Sequence, residues 1–259
     1  MKVAVCFSGG VRNFKDTFPY FEKNFIEIYN PDVFVYGVQN IDGSVQNIKD
    51  IESLYKPKKL VINTDEFYED DVFKNHISNP TLKCMYHNVH QSNLMKKDYE
   101  EKNSFIYDVV LRARFDTFLV RPIEEDEINS LIDDEILTTR DWCGFNPDRF
   151  VCDFFAFGNS QTMDKYSETI LNRNLFDTQL TMNNGEDVLG YHLRKKNIKT
   201  KHIGFEKNAS NGSPFTFDYP SDFNFNSLPF QVGSSVLPEH YRLKYDSPKN
   251  NWRNINLEN

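Results

Sequence analysis

The sequence predicts an α/β fold, a single domain with a mostly parallel, twisted central sheet flanked by helices. Over the first 62 residues, short apolar runs alternate with helix-like segments across short connections, which is the pattern of a parallel sheet. The uninterrupted apolar run at residues 109–111 is typical of a strand covered on both faces. A chain of 259 residues with 39% hydrophobic and 15% aromatic residues is long enough to bury one large core.

The first part of the chain predicts three strands and two helices. The strands are expected at residues 3–7, 32–36 and 59–62, and the second helix at residues 45–54. The first helix is expected over residues 14–29, where large apolar residues recur at the spacing of one buried helix face. These residues are Phe14, Phe18, Phe21, Phe25 and Ile28.

The second part of the chain alternates in the same way. Helices are predicted over residues 81–102, 122–131, 160–171 and 188–196, and strands over residues 109–111, 136–139, 150–158 and 198–205. Ser160 is the expected N-cap of its helix. Residues 206–259 are rich in Asn, Ser, Pro and aromatic rings, and we expect them to form a tail packed on the domain of residues 1–205.

Charge and composition narrow the class of protein. The net charge of −8 and the pI near 5.3 argue against nucleic acid as a partner, since a protein of that kind normally has a basic face. No stretch reaches the roughly 18 apolar residues of a membrane span. The four cysteines are scattered, without the spacing of a zinc site or a disulfide framework. The sequence therefore predicts a cytoplasmic protein that does not span a membrane.

A charged stretch follows the predicted central strand. Arg112, Arg114 and Asp116 alternate with apolar residues, so they would project from one face if the strand continued. Ligands bind at the carboxyl ends of central strands in open α/β sheets, and two guanidinium groups with one carboxylate suit an anionic ligand and its metal. The alternative is a structural ion pair in which Asp116 neutralises one arginine.

A short glycine turn follows the first predicted strand. Gly9 and Gly10 let backbone N–H groups approach an anion at the start of the first helix, and Arg12 adds a possible phosphate contact. A plain structural turn is the alternative, because short glycine turns are common in α/β proteins.

Taken in order along residues 2–205, these features resemble the GT-A class of nucleotide-sugar glycosyltransferases, which is Rossmann-like, and particularly the small polysaccharide-type enzymes of bacteria and large DNA viruses. The resemblance implies a nucleotide site, an acceptor-framing glycine, a divalent metal (Mn²⁺ or Mg²⁺) and a catalytic base. The nucleotide-binding residues would be Phe7, Ser8, Gly9, Gly10, Arg12, Arg112 and Arg114, with Gly158 at the acceptor, Asp116 and His202 on the metal, and Asp187, Glu186 or Asp153 as the base.

The resemblance has one departure at the metal motif. The second Asp of the motif is replaced by Phe118, so the metal would be held by Asp116 and His202, or arginine residues would take its place. An inverting mechanism needs one of the three carboxylates as a base, whereas a retaining mechanism does not.

The implied function is transfer of a sugar from a nucleoside-diphosphate sugar to a hydroxyl group of a glycan or glycoconjugate, as in polysaccharide biosynthesis. A non-catalytic nucleotide- or sugar-binding relative is the first alternative, because the second Asp is missing. The other is an ATP-using enzyme with the pyrophosphatase loop Ser-Gly-Gly-x-Asp-Ser, although Arg12 and Asn13 stand here in place of its Asp and final Ser.

Overall fold

The structure is a computed structural model that describes residues 1–38, 48–63, 80–139, 150–172, 185–203 and 215–216. Nine strands are found in these residues, and seven of them form one sheet. The strands are β1 (Val3–Gly10), β2 (Asp32–Val38), β3 (Lys59–Asn63), β4 (Val109–Ala113), β5 (Phe118–Leu119), β6 (Glu135–Thr139), β7 (Phe155–Gly158), β8 (Lys199–Ile203) and β9 (Phe215–Thr216).

Helices cover both faces of the sheet. Regular helices are α1 (Phe14–Phe21), α2 (Ile48–Tyr55), α3 (Pro80–Asn103), α4 (Glu125–Asn129), α5 (Ser160–Ser167) and α6 (Gly185–Lys195). Helix α1 continues through a π-helical turn, Glu22–Ile26, into a last turn, Glu27–Tyr29, and α5 continues into the 3₁₀ turn Glu168–Leu171. None of the described helices is both long and apolar enough to cross a membrane.

The order of the strands reverses beside β1. The main sheet runs β3-β2-β1-β4-β7-β6-β8, with β1 parallel to both β2 and β4. The chain therefore moves outward from β1 to β3 and then returns to the other side of β1 to form β4. Such a reversal opens a crevice at the carboxyl ends of the two central strands, where ligands bind in open α/β sheets. We call the carboxyl ends of β1 and β4 the switch point.

Two apolar layers hold the sheet. Alternation along the strands sends Val5, Phe7 and Leu111 to the face covered by α1, α2 and α4, while Cys6 and Val110 point to the face covered by α3, α5 and α6. Strand β7 is antiparallel to both of its neighbours, β4 and β6. Its first residues therefore lie at the same edge of the sheet as the last residues of β4.

Three side chains from the first helical segment support the chain after β4. Each donates a hydrogen bond to a backbone carbonyl of residues 115–123, a segment that has left the main sheet. The bonds run from Thr17 Oγ1 to Phe115 O (2.5 Å), from Asn24 Nδ2 to Leu119 O (2.6 Å) and from Tyr29 OH to Ile123 O (2.5 Å). This row of bonds holds the turn that contains Asp116 against the helix.

The predicted α/β class is confirmed, and two local expectations are wrong. Strand β4 ends at Ala113, because Arg114 N instead donates to Phe154 O (3.2 Å) and a turn follows. The N-cap of α5 is Asn159, whose side chain accepts from Thr162 N, and Ser160 is the first helical residue. One compact unit spans Met1–Phe217, and a second spans Asp218–Asn259. The predicted packing of residues 206–259 lies outside the described residues, apart from β9, which pairs with β5.

Candidate functional site

The backbone of the glycine turn forms one side of the switch point. Gly9 has φ +106°, a conformation that residues with a Cβ rarely adopt, but it pairs with Gly37 inside β1, so the strand continues through the predicted glycine turn and the chain turns only after Gly10. Gly37 on β2 provides room for this turn, because a Cβ there would lie 2.7 Å from Val11 Cγ2 and 3.2 Å from Gly9 O. The turn leads to Arg12 and then to α1.

An ion-pair cluster of two arginines and one carboxylate spans the switch point. Arg114 grips Asp116 with two parallel hydrogen bonds, from Nε to Oδ1 (2.9 Å) and from Nη2 to Oδ2 (2.7 Å). Arg12 Nε, from the turn after β1, lies 2.9 Å from the same Oδ2. Asp116 therefore pairs with two arginines, one from the segment after β1 and one from the segment after β4. We call these three residues the arginine cluster.

The charges in the arginine cluster stabilise one another. Burial alone would raise the pKa of Asp116, but the positive charges of Arg114 and Arg12 outweigh it and hold that pKa below its usual value. Burial would lower the pKa of Arg114, and the neighbouring Asp116 carboxylate raises it instead. Asp116 and Arg114 therefore each favour the charged form of the other.

Exposure increases from the carboxylate to the arginines. The Asp116 side chain is 11% exposed, whereas Arg114 is 23% and Arg12 is 37% exposed. A ligand that arrives from solvent therefore meets the guanidinium groups first and the carboxylate last. Because guanidinium groups match the geometry of phosphate oxygens, this arrangement favours an anionic ligand.

A second group of acidic residues lies at the same edge of the sheet. Asp153 comes just before β7, and its Oδ2 packs so closely on the first residue of α6, Gly185, that a Cβ there would be only 2.1 Å away. Glu186 follows Gly185, and its backbone carbonyl accepts from Val151 N (3.1 Å). The absence of a side chain at residue 185 thus allows the start of α6 to approach Asp153.

The environment of Glu186 favours its protonated form. Burial, followed by the negative charge of Asp153, raises the pKa of Glu186 above its usual value, and Arg114 opposes this change. A carboxylate of raised pKa is a stronger base than an ordinary one, and the half-buried Glu186 is still within reach of a ligand. Asp187, by contrast, is buried, with 3% exposure. Among the three predicted bases, Glu186 therefore has the environment that best suits the role.

Arg112 is separated from the arginine cluster. Because β4 ends at Ala113, only Arg112 of the charged stretch keeps its place in the sheet, and its side chain is 2% exposed. Its Nη1 donates to Asp153 O, whereas Nε and Nη2 have no hydrogen-bond partner among the described residues. The sequence had suggested a phosphate contact, but this guanidinium instead supports the backbone that carries Asp153.

Sequence reasoning missed the tyrosine that holds the start of α6. Tyr86 on α3 donates through its hydroxyl to Gly185 O (2.6 Å) and is almost fully buried. Tyr86 lies in the helix predicted over residues 81–102 and packs in the same apolar cluster as Leu82, Met85 and Val89. The helical period would have included Tyr86, although no pattern indicates that its partner is Gly185.

Three other predicted nucleotide or acceptor residues lie apart from the open crevice. The Phe7 ring is fully buried and stacks on Phe115 (centroids 5.2 Å apart), so it is part of the core. Ser8 is fully buried, and its Oγ has no hydrogen-bond partner within the described part of the chain. Gly158 pairs with Val110 at the start of β4, so it lies near the amino end of that strand, whereas the crevice lies at the carboxyl end.

The residues predicted to hold a metal are not brought together. His202 is on β8, three strands away from β4, which corresponds to about 14 Å of lateral distance across the sheet. Phe118, at the position of the expected second Asp, is 1% exposed and packs edge-on against Tyr20. The described residues contain no group of three His, Cys, Asp or Glu side chains that could hold a metal ion. Within the described part of the chain, Asp116 and His202 therefore do not form the predicted Mn²⁺ or Mg²⁺ site together.

Comparison with known proteins identifies a family. The model of a family described as a domain of unknown function (DUF7796) matches residues 1–201. No curated protein matches the chain. Because the match covers most of the sequence and includes both the arginine cluster and Glu186, the chain belongs to the DUF7796 family.

Proposed function

We propose that this protein is a glycosyltransferase of the GT-A class, which transfers a sugar from a nucleoside-diphosphate sugar to a hydroxyl group of a glycan or glycoconjugate. The switch point is the proposed donor site. The diphosphate would lie against Arg12 and Arg114, and the acceptor hydroxyl would lie near Glu186.

The observation that carries the proposal is the joint presence of these groups at one edge of the sheet. Arg12 and Arg114 come from two different turns and meet at Asp116, with their guanidinium groups more exposed than the carboxylate. Glu186 is close enough to Arg114 for that positive charge to affect its pKa. Positive side chains stabilise a departing diphosphate, and a nearby carboxylate accepts the proton of the acceptor hydroxyl in the inverting form of the reaction.

The proposed reaction uses these groups in two ways. The bond between the anomeric carbon and the diphosphate oxygen breaks, and the electron pair leaves with the diphosphate, whose growing negative charge the two arginines stabilise. The acceptor oxygen bonds to the anomeric carbon from the opposite side, and its proton passes to Glu186. This is the inverting form of the reaction. Asp153 assists by keeping the pKa of Glu186 high.

The donor site can be tested by ligand-induced thermal stabilisation. UDP or GDP at a hundred times its Kd should stabilise the protein by about 2.7 kcal/mol, which corresponds to roughly 5–10 °C in Tm for a chain of this size. ATP serves as the comparison ligand for the pyrophosphatase alternative. Absence of any shift with either nucleoside diphosphate, with or without Mn²⁺, would contradict the proposal.

The reaction itself can be tested with a panel of sugar nucleotides, by following release of the nucleoside diphosphate. Glu186→Gln should lower the rate of transfer about 100- to 10,000-fold and leave nucleotide affinity nearly unchanged, because only the base is lost. Lys195→Met on the same helix is the matched control, since Lys195 is exposed at the other end of α6. An unchanged rate in Glu186→Gln would remove Glu186 from the mechanism.

The second candidate is a protein that binds a nucleotide or a sugar without transferring it. Phe118 favours this candidate, since it stands at the position of the expected second Asp and provides no carboxylate. Its ring is buried instead. Such a protein would show the thermal shift with UDP or GDP, but no turnover with any sugar nucleotide of the panel. The two experiments together therefore separate a transferase from a binding protein.

A further inference from the structure

We propose that Arg12 and Arg114 replace a divalent cation as the positive charge on the diphosphate, so that donor binding and sugar transfer proceed without metal. This inference rests on the proposed function and concerns the same site. It starts from the state of Asp116, which is the carboxylate expected to hold the metal.

Both oxygens of Asp116 are already engaged. Oδ1 accepts from Arg114 Nε, and Oδ2 accepts from Arg114 Nη2 and also lies 2.9 Å from Arg12 Nε. A divalent cation at Asp116 would lie beside both guanidinium groups, so two positive charges would face the metal. Mg²⁺ and Mn²⁺ are usually held by one or two carboxylates together with phosphate oxygens, and Phe118 removes the second carboxylate.

The exposed fractions of the three side chains also favour the arginines, rather than a metal, as the groups that contact the diphosphate. Asp116 lies behind the two arginines, at 11% exposure against 23% and 37%, so its role is to hold their guanidinium groups in place. Asp116 is therefore a positioning residue. Both guanidinium groups are more exposed than the carboxylate that they share, and guanidinium groups form charge-assisted bonds with phosphate oxygens without a metal bridge.

The test compares UDP and GDP binding in excess EDTA with binding in excess Mn²⁺, by calorimetry on the full chain. We expect the two Kd values to agree within about threefold, and the transfer rate to be equally insensitive to EDTA. Arg12→Met should weaken binding about 10- to 100-fold in either condition, because bonds to charged groups are lost. Arg121→Met is the matched control, since Arg121 also grips one carboxylate, Glu127, with two bonds.

The outcomes separate the inference from the proposed function. Binding or transfer that requires Mn²⁺ or Mg²⁺ would overturn the inference and leave the glycosyltransferase proposal intact. No binding of either nucleotide in either condition would overturn both. Asp116→Asn provides a further check in folded protein: we expect affinity in EDTA to fall less than about tenfold, whereas loss of a metal-dependent gain in affinity would show that Asp116 holds a metal.

Discussion

The structure contains two charged networks, and their surroundings differ. The arginine cluster stands at the switch point, with Arg12 37% exposed. The second network is behind the sheet, where Lys96 on α3 is completely buried. Its Nζ donates to Glu100 Oε2 (3.0 Å), Ser160 Oγ (2.5 Å) and Asp164 Oδ1 (2.7 Å), which uses all three N–H groups.

The difference indicates what each network does. Lys96 has no donor left for a ligand, and Glu100 also accepts from Tyr107 N (2.8 Å), so this network joins α3, α5 and the start of β4. A surface pocket of about 780 Å³ opens beside it, lined partly by Glu100 and Asp164, which are already bonded to Lys96. The lining of this pocket is therefore already used in the buried network, whereas the arginine cluster has guanidinium groups that are partly exposed at the switch point.

The largest expected effect comes from breaking the buried network. Lys96→Met should lower the free energy of unfolding by about 3–5 kcal/mol, because it leaves the buried Glu100 without its cation and leaves Asp164 only the 3.8 Å contact with Lys97. Urea unfolding measures the change, and nucleotide affinity of the folded protein should stay as it was. Lys97→Met is the control, since the neighbouring Lys97 is 49% exposed and should change stability by less than about 1 kcal/mol. A small loss in Lys96→Met would mean that the two networks are alike.

The reciprocal change is Arg114→Met in the arginine cluster. We expect UDP or GDP affinity to fall about 10- to 100-fold, because the fork that bonds both Asp116 and the phosphate is lost. Stability should fall less than in Lys96→Met, since Arg12 still neutralises Asp116. Calorimetry and urea unfolding of both variants give the two quantities. If Arg114→Met lost stability and kept its affinity, the cluster would be a structural ion pair.

A smaller effect is expected from Gly185→Ala, at the contact between α6 and Asp153. The added Cβ would meet Asp153 Oδ2, so the carboxylate must move, at a cost of about 1–3 kcal/mol in stability. Because this contact fixes the position of Glu186, the rate of transfer should fall while nucleotide affinity stays unchanged. Lys195→Met, at the exposed end of the same helix, is the control for a substitution in α6 that leaves this contact in place. A Gly185→Ala protein of unchanged stability and rate would show that the contact has no role.

The smallest effects are those of pH, and they have opposite signs for the two acidic groups. The pKa of Asp116 is lowered from 3.8, so its contribution is present above that pH and is lost as pH falls through the lowered value. The pKa of Glu186 is raised from 4.5, so its contribution is present below that pH and is lost as pH rises through the raised value. Subtracting the unfolding free energies of Asp116→Asn and Glu186→Gln from that of the wild type should show these opposite slopes. Slopes of the same sign would contradict the assigned environments.

Local sequence patterns predicted most of the framework. The alternation of apolar runs and amphipathic segments located β1 to β4 and the helices between them to within a few residues, because each period depends only on neighbouring side chains. A pairing of Asp116 with one arginine could be predicted for the same reason, since Arg114 is only two residues away. The glycines predicted that Arg12 lies at the start of the first helix, but not that it contacts Asp116.

Contacts between distant segments could not be predicted in this way. Arg112 and Arg114 look equivalent in the sequence, yet the end of β4 after Ala113 leaves the first buried and the second partly exposed. The contact between Asp153 and Gly185 depends on how β7 and α6 meet, which no local period records. Lys96 lies in the helix predicted over residues 81–102, and nothing near it in the sequence indicates its partner Asp164.

The π-helical turn at Glu22–Ile26 determines which side chains of the first helical segment face the chain after β4. In a regular α-helix each residue turns about 100°, so Tyr29, five positions after Asn24, would point roughly 140° away from it. One wider turn takes up the extra residue and returns Tyr29 to the side of Asn24, where both reach carbonyls of the Asp116 segment. Deleting one residue between Asn24 and Tyr29 would restore ideal helical geometry with the tyrosine four positions after Asn24, about 40° from it, and would leave its hydroxyl facing Ile123, 94 positions away in the chain.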